Sequence, residues 1–187
     1  MNGTETTMTD AKLPRLVLPD KKGQYIFWSL FAGGLALDLW SKSAIFKWLG
    51  PGGRFSIIDG LLRFDCRVNP GAAFNIFAGK AYFLVGISVV ALILVVGIFL
   101  FGGVRQRLAH VALGLFAGGI SGNLYDRAFN GGEVRDFLEA YIRIGGKVRA
   151  WPAFNVADSL LVVGVGLLII STLTVEKSAQ KHAQQQK

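Results

Sequence analysis

The 187-residue chain is poor in the side chains that metal and thiol enzymes rely on. Its one cysteine, Cys66, excludes an internal disulfide and argues against a thiolate metal cluster. Two histidines, His110 and His182, leave little from which to build a zinc site. His110 reads as a packed or interfacial histidine, and His182, in a Gln/Lys-rich tail, as a solvated one. No serine sits in a nucleophile-elbow pattern, and Ser121 has no histidine on its own side of the chain's apolar blocks. Charge is scarce too, at 17% of residues, and between Ala81 and Gly103 there is none for 23 residues. No metal and no cofactor are expected.

What the chain does have is apolar bulk. Hydrophobic residues make up 52% and the mean hydropathy is +0.45, too high for an ordinary soluble domain. The length suits one membrane-embedded bundle. A net charge of +8 raises the question of nucleic acid. The lysines and arginines are spread between apolar blocks rather than gathered on one face, so basic membrane flanks explain them and no nucleic-acid partner is expected.

Residues 1–23 are polar and interrupted by Pro14 and Pro19, which predicts a disordered tail. The first apolar block, about 24–49, carries Asp38 and Lys42 at an i,i+4 spacing that shares a helix face. Strand character follows. Phe55 to Ile58, Asp59-Gly60 and Leu61 to Val68 read as a hairpin with a type I′ turn. In its second arm Leu62, Phe64, Cys66 and Val68 alternate with Arg63, Asp65, Arg67 and Asn69, predicting one apolar and one polar face. Apolar helices are expected at about 81–103 and 108–127, the latter with Gly114, Ala117, Gly118 and Gly122 placed for close packing. Val134 to Ile144 and Lys147 to Trp151 flank Gly145-Gly146, a second hairpin signal. A last helix, about 152–175, admits Pro152 in its first turn. The sequence therefore predicts an all-α membrane protein of four transmembrane helices, with β-hairpins in its two longer loops. Its single domain spans 24–176, and a soluble tail follows over 177–187.

Four helices put both termini on one side. The tails and the 105–107 turn hold nine Lys/Arg and the two longer loops hold eight, so the charge rule barely decides which side that is.

The polar residues converge at one end. Asn123, Asp126 and Arg127 share overlapping faces of the third helix, where Asp126 and Arg127 are expected to form a pair. Asn155 and Asp158 are i,i+3 on the fourth, with Asp158 expected roughly 9 Å into it. A carboxylate in an apolar helix whose next charge is Glu176 is costly without a partner or a task. With Asp136 it offers one available chemistry: two close carboxylates sharing a proton, one activating water while the other hydrogen-bonds a carbonyl. The bland alternative makes Asp136 a loop residue and Asp158 a partner of Arg127. A small transporter or channel lined by the same cluster is the competing function. A presenilin-like protease would need Gly-x-Gly-Asp in mid-membrane, which the chain does not contain.

Five separated motifs carry a resemblance across residues 24–175. They are Asp38-x-x-x-Lys42, Asn69-Pro70-Gly71-Ala72-Ala73-Phe74, Gly118-Gly119-x-x-Gly122-Asn123-x-x-Asp126-Arg127, Asp136-Phe137, and Phe154-Asn155-Val156-Ala157-Asp158. In this order they resemble the lipoprotein signal peptidase (signal peptidase II) family of bacterial membrane aspartyl endopeptidases. The resemblance implies a catalytic dyad of Asp136 and Asp158. It implies substrate binding by Asn69, Gly71, Ala73, Phe74, Asn123, Arg127 and Asn155, and support from Asp38, Lys42 and Asp126. It further implies a lipidated prolipoprotein substrate cut before its diacylglyceryl cysteine, contact with membrane phospholipid and a monomer. The location implied is the bacterial inner membrane, with cytoplasmic termini, an outward-facing site, and a small extracytoplasmic β-sheet and a flap above it. Four features depart from the family pattern: the Arg127-to-Asp136 interval is one residue longer, Arg135 stands where an apolar residue is common, and the second hairpin and the N-terminal tail are both long.

Overall fold

The computed structural model describes residues 18–71 and 76–185. The expectations for the first seventeen residues, and for Ala73 and Phe74, lie outside the described residues. The chain order is α1 (Lys21–Leu49), β1 (Arg54–Ile58), β2 (Leu62–Asn69), α2 (Ala81–Phe101), α3 (Arg107–Phe129), β3 (Val134–Ile144), β4 (Lys147–Ala150) and α4 (Val156–Gln185). Of these helices α2, α3 and the Val156–Val175 part of α4 are long and apolar enough to cross a membrane. With the four-stranded antiparallel sheet they make a helical membrane protein.

Helix α1 begins at Lys21, earlier than the apolar pattern predicts, because Asp20 caps it by accepting from the Gly23 amide at 3.0 Å. Its buried positions, Gly23, Phe27, Gly34, Asp38, Ser41 and Lys42, form one stripe against α3. Helix α3 is the hub. It packs against each of the other helices and is mostly buried, whereas α2 and α4 keep most of their apolar surface exposed. Glycines permit this. A Cβ on Gly114 would lie 2.8 Å from the Phe27 carbonyl oxygen, one on Gly119 2.6 Å from the Ala157 carbonyl oxygen, and one on Gly122 would overlap the Asp38 carboxylate. Close backbone approach is how helices associate where no hydrophobic effect drives them together. Toward the other end, Phe27 stacks on Phe99 at 3.9 Å and His110 meets Phe99 edge-on, its Nε2 bonded to the Val104 carbonyl. That histidine is packed, as expected.

The strands pair in the order β1-β2-β3-β4. The second hairpin follows the sequence reading closely: Ile144 pairs with Lys147 across Gly145 (φ 56°) and Gly146 (φ 73°), a two-residue turn that needs both positive angles. The first does not. Only Gly60 takes a positive φ, Leu61 N bonds to the Ile58 carbonyl, and the connection is three residues long. Asp59 is therefore not a type I′ residue; its carboxylate accepts from Tyr141 Oη and Arg143 instead.

The predicted two-faced alternation of β2 also fails in its second half. Phe64 pairs with Leu138 and Arg67 with Asp136, so two residues of β2, Asp65 and Cys66, face one of β3. This bulge buries both and turns Val68 outward. Asp65 tolerates burial because Arg67 and Arg54 both pair with it.

Helix α4 starts at Val156, later than the 152 expected. Residues before it are extended: Phe154 exchanges backbone hydrogen bonds with Leu138 (2.8 Å each way). Its helical backbone continues to Gln185 through strong helix formers rather than ending at 175.

Candidate active site

The register of β2 on β3 sets the site. Asn69 pairs with Val134 and Arg67 with Asp136, which draws the Asn69 side chain to Asp136: Nδ2 donates to Oδ2 at 3.1 Å. The Phe154–Leu138 bridge draws α4 to the same strand. Asn155 and Asp158 then form a reciprocal capping pair. The Asp158 amide donates to Asn155 Oδ1 (2.9 Å), and the Asn155 amide donates to Asp158 Oδ2 (3.1 Å). Asp158 is thus the third helical residue, in the first turn rather than roughly 9 Å in, where the helix dipole favours its charge.

Asn155 joins the two carboxylates. Its Nδ2 donates to Asp136 Oδ1 at 2.7 Å while its Oδ1 holds the Asp158 amide. Asn123 completes the ring, with Nδ2 on Asp158 Oδ1 (2.8 Å) and Oδ1 accepting from Lys42 Nζ (3.0 Å) and Asn155 Nδ2 (3.1 Å). Every amide is oriented by its neighbours, which pins both acids.

Asp136 is buried. Burial pushes its carboxyl up to about 7, the negative charge of Asp158 adds to that, and hydrogen bonds from Asn69 and Asn155 and the Lys42 charge oppose it. Near neutrality it is therefore in part protonated. Cys66, the alternative nucleophile, is buried as well, and desolvation and then Asp65 raise its thiol, which keeps it from being a thiolate. Among the described residues no group of three or more His, Cys, Asp or Glu side chains comes together to hold a metal.

Asn69, Asn123, Arg127, Asp136 and Asp158 all line one cleft of about 1150 Å³. Val134, Phe154 and the α4 residues Leu161, Val162 and Val163 supply its apolar wall. Arg127 donates from Nη2 to the Gly71 carbonyl (2.9 Å), and Gly71 N donates to Asn69 Oδ1 (3.0 Å). Arg127 Nε is buried and has no acceptor among the described residues. Below the acids lies a buried ionic layer. Lys42 Nζ is 2.6 Å from Asp38 Oδ2 and 3.5 Å from Asp126 Oδ2, and Asp38 Oδ1 accepts the Ala157 amide at 2.8 Å.

A family model described as signal peptidase (SPase) II matches residues 30–174. The chain belongs to the signal peptidase II family. A lipoprotein signal peptidase from Rhodopirellula baltica is 39% identical over 162 residues, covering 79% of this chain and 71% of its own length. One from Geobacter sulfurreducens is 39% identical over 155 residues, covering 81% and 94%. A solved structure described as a bacterial membrane enzyme, determined by the in meso method, superposes with a TM-score of 0.73 at 32% identity. It covers 84% of this chain and 92% of that one. As a member of the signal peptidase II family the chain is a protease.

Within this signal peptidase II fold one expected pair is wrong. Asp126 does not pair with Arg127; it pairs with Arg135 (Nη2 to Oδ1, 2.7 Å) and Lys42, while Arg127 turns to the cleft. Adjacent residues on a helix do not face each other, and Asp126 is fully buried toward Lys42 of α1 and Arg135 of β3. Arg135 was visible in the sequence only as a departure from the family pattern. Asn130, which donates to Asp126 Oδ1 at 3.0 Å, carried no signal at all.

Proposed function

We propose that this chain removes signal peptides from diacylglyceryl-modified prolipoproteins, with Asp136 and Asp158 as its catalytic dyad. The observation that carries this reading is the pair of carboxylates held on one asparagine at the wall of an apolar cleft. Ionised Asp158 takes a proton from water, whose oxygen attacks the scissile carbonyl carbon. Protonated Asp136 donates to the carbonyl oxygen as the tetrahedral diol forms. The proton on Asp158 then passes to the leaving nitrogen as the C–N bond breaks, and Asp136 recovers its proton from the diol. Asn69, Pro70 and Arg127 border the cleft where the peptide would lie.

Helix α1 is the fourth span in this reading: 29 residues at about 1.5 Å each exceed the ~30 Å hydrocarbon core. Lys21, Lys22, Arg105 and Arg107 then flank the cytoplasmic side, with the termini, and the sheet and cleft face outward at the inner membrane. Exposed Val162 and Val163 continue the cleft wall down α4, which supports lateral entry of a lipid-bearing substrate from phospholipid. A monomer suffices, since both acids and their asparagines come from one chain.

The test is cleavage of a diacylglyceryl-prolipoprotein peptide and its unlipidated twin by purified protein in detergent. Only the lipidated peptide is cut. Equal turnover of both would overturn the lipid-dependent reading.

The pH dependence follows from Asp136, which must be protonated to act as the acid. Its carboxyl sits at about 7, so kcat/KM holds below that value and falls about tenfold per pH unit above it. A profile flat between about pH 6 and pH 9 would remove Asp136 from the acid role.

A further inference from the structure

The residue immediately before Asp136 makes an unusual set of contacts. Buried Asp126 receives three donors from Arg135: its backbone amide (3.0 Å) and Nε (3.2 Å) on Oδ2, and Nη2 (2.7 Å) on Oδ1. Two of these form the planar fork that only arginine can present to a carboxylate. Arg135 Nη1 also lies 3.4 Å from Ser43 Oγ on α1, and its carbonyl lies 3.5 Å from Asn155 Nδ2, the group that donates to Asp136 Oδ1. One residue thus ties α1, α3 and α4 to the start of β3. The connection entering β3 includes Gly131 (φ 66°) and Gly132 (φ 90°), conformations that add no side-chain anchor of their own.

Charge balance gives Arg135 a second role. The connected layer holds four carboxylates, Asp38, Asp126, Asp136 and Asp158, against three cations, Lys42, Arg127 and Arg135. It is neutral when the two acids hold one proton between them. Other charges facing this region from the sheet are Arg54 and Arg67 on Asp65 and Arg63 on Glu139, with the one surplus cation on a half-exposed arginine that solvent screens, and α2 carries none. Without Arg135 the same layer reaches neutrality only with two protons.

We propose that Arg135 is a positioning residue, whose fork on Asp126 sets the place of Asp136 over α4 and whose charge lets the pair of acids work with a single proton. This rests on reading Asp136 and Asp158 as the dyad.

Three variants test it on the lipidated peptide, with kcat, KM and the pH profile as readouts. Arg135→Gln lowers kcat about tenfold or more with KM nearly unchanged, since a displaced acid harms the chemical step. It also moves the alkaline limb of the profile up by about one pH unit, because an unbalanced Asp126 holds the dyad proton more tightly. Arg135→Lys keeps the limb in place and recovers only part of kcat, since an ammonium cannot make the fork. Asp126→Asn combined with Arg135→Gln removes both charges and returns the limb to its wild-type position.

Wild-type kcat in Arg135→Gln, or a limb that does not move in it, overturns the proposal. A limb displaced in Arg135→Lys does the same. Should Arg135→Gln fail to give a monodisperse protein, the lysine and double variants carry the test, as neither leaves a carboxylate unmatched. Asp136→Asn in the same assay separates the two levels. Activity in that variant means the dyad reading has failed. Its loss, beside an unchanged Arg135→Gln, means only the positioning inference has.

Discussion

Asp136→Asn and Asp158→Asn each lower turnover of a lipidated precursor by at least about 10³-fold, the scale of losing a positioned acid or base that works as half of a unit. The loss is chemical, not a loss of fold. At position 136 the amide keeps the shape and one of the two accepted bonds, while the hydrogen bond from either Asn69 or Asn155 is forfeited. Removing a carboxyl that burial already disfavours as an anion offsets part of that. At position 158 the variant's side-chain oxygen can keep the bond to the Asn155 amide, but it can no longer take a proton from water. Both variants should elute as the wild type does and melt within a few degrees of it. Near-normal turnover by either, in detergent and with the same lipidated peptide, sinks the dyad assignment.

Lys42→Met is the largest stability effect expected. Lys42 is fully buried and is the cation shared by Asp38, at 2.6 Å, and Asp126, at 3.5 Å, besides orienting Asn123. Methionine fills the volume and leaves the Asp38 carboxylate with the Ala157 amide alone among the described hydrogen bonds, since Ser41 Oγ donates to the Asp38 backbone carbonyl. Breaking a buried pair by removing one partner costs about 3–5 kcal/mol, a large part of the 5–15 kcal/mol that stabilises a typical fold. The readout is a thermal midpoint lower by about 10 °C or more, or no monodisperse protein at all. Lys42→Met with Asp38→Asn recovers part of the loss, since the uncompensated charge and not the missing contact dominates. A single variant that melts like the wild type contradicts the account.

Arg127→Ala is a smaller matter for the fold than the sequence spacing suggests, because Asp126 keeps Lys42, Arg135 and Asn130. What Arg127 loses is its hold on the Gly71 carbonyl beside the cleft.

Much of this protein is written in short-range pattern. Apolar runs without charge marked α2 and α3, because a spanning helix can be read from composition alone. Gly145-Gly146 marked its hairpin because two successive positive φ angles leave few other residues possible. The clustering of polar residues at one end of the helices was legible for the same reason: in an apolar segment every exception stands out. Patterns of this kind say which residues must answer for their burial. They do not say to whom.

Partners are decided by register and packing. The bulge at Asp65 and Cys66 inverts the expected faces of β2 and sets which of its residues meets Asp136. The Phe154–Leu138 bridge delays the start of α4 and puts Asp158 in its first turn, where Asn155 caps it and holds Asp136 as well. Asp126 and Arg127 are adjacent in sequence, and the tertiary structure sends one to Arg135 and the other to the cleft. Sequence alone determined that this chain would place carboxylates at the edge of an apolar bundle, since hydropathy is a property of each segment. Only the tertiary structure decided how far the Asp136 carboxyl is raised, since that depends on how deeply it is buried and on the charges beside it, brought from α1 and α4.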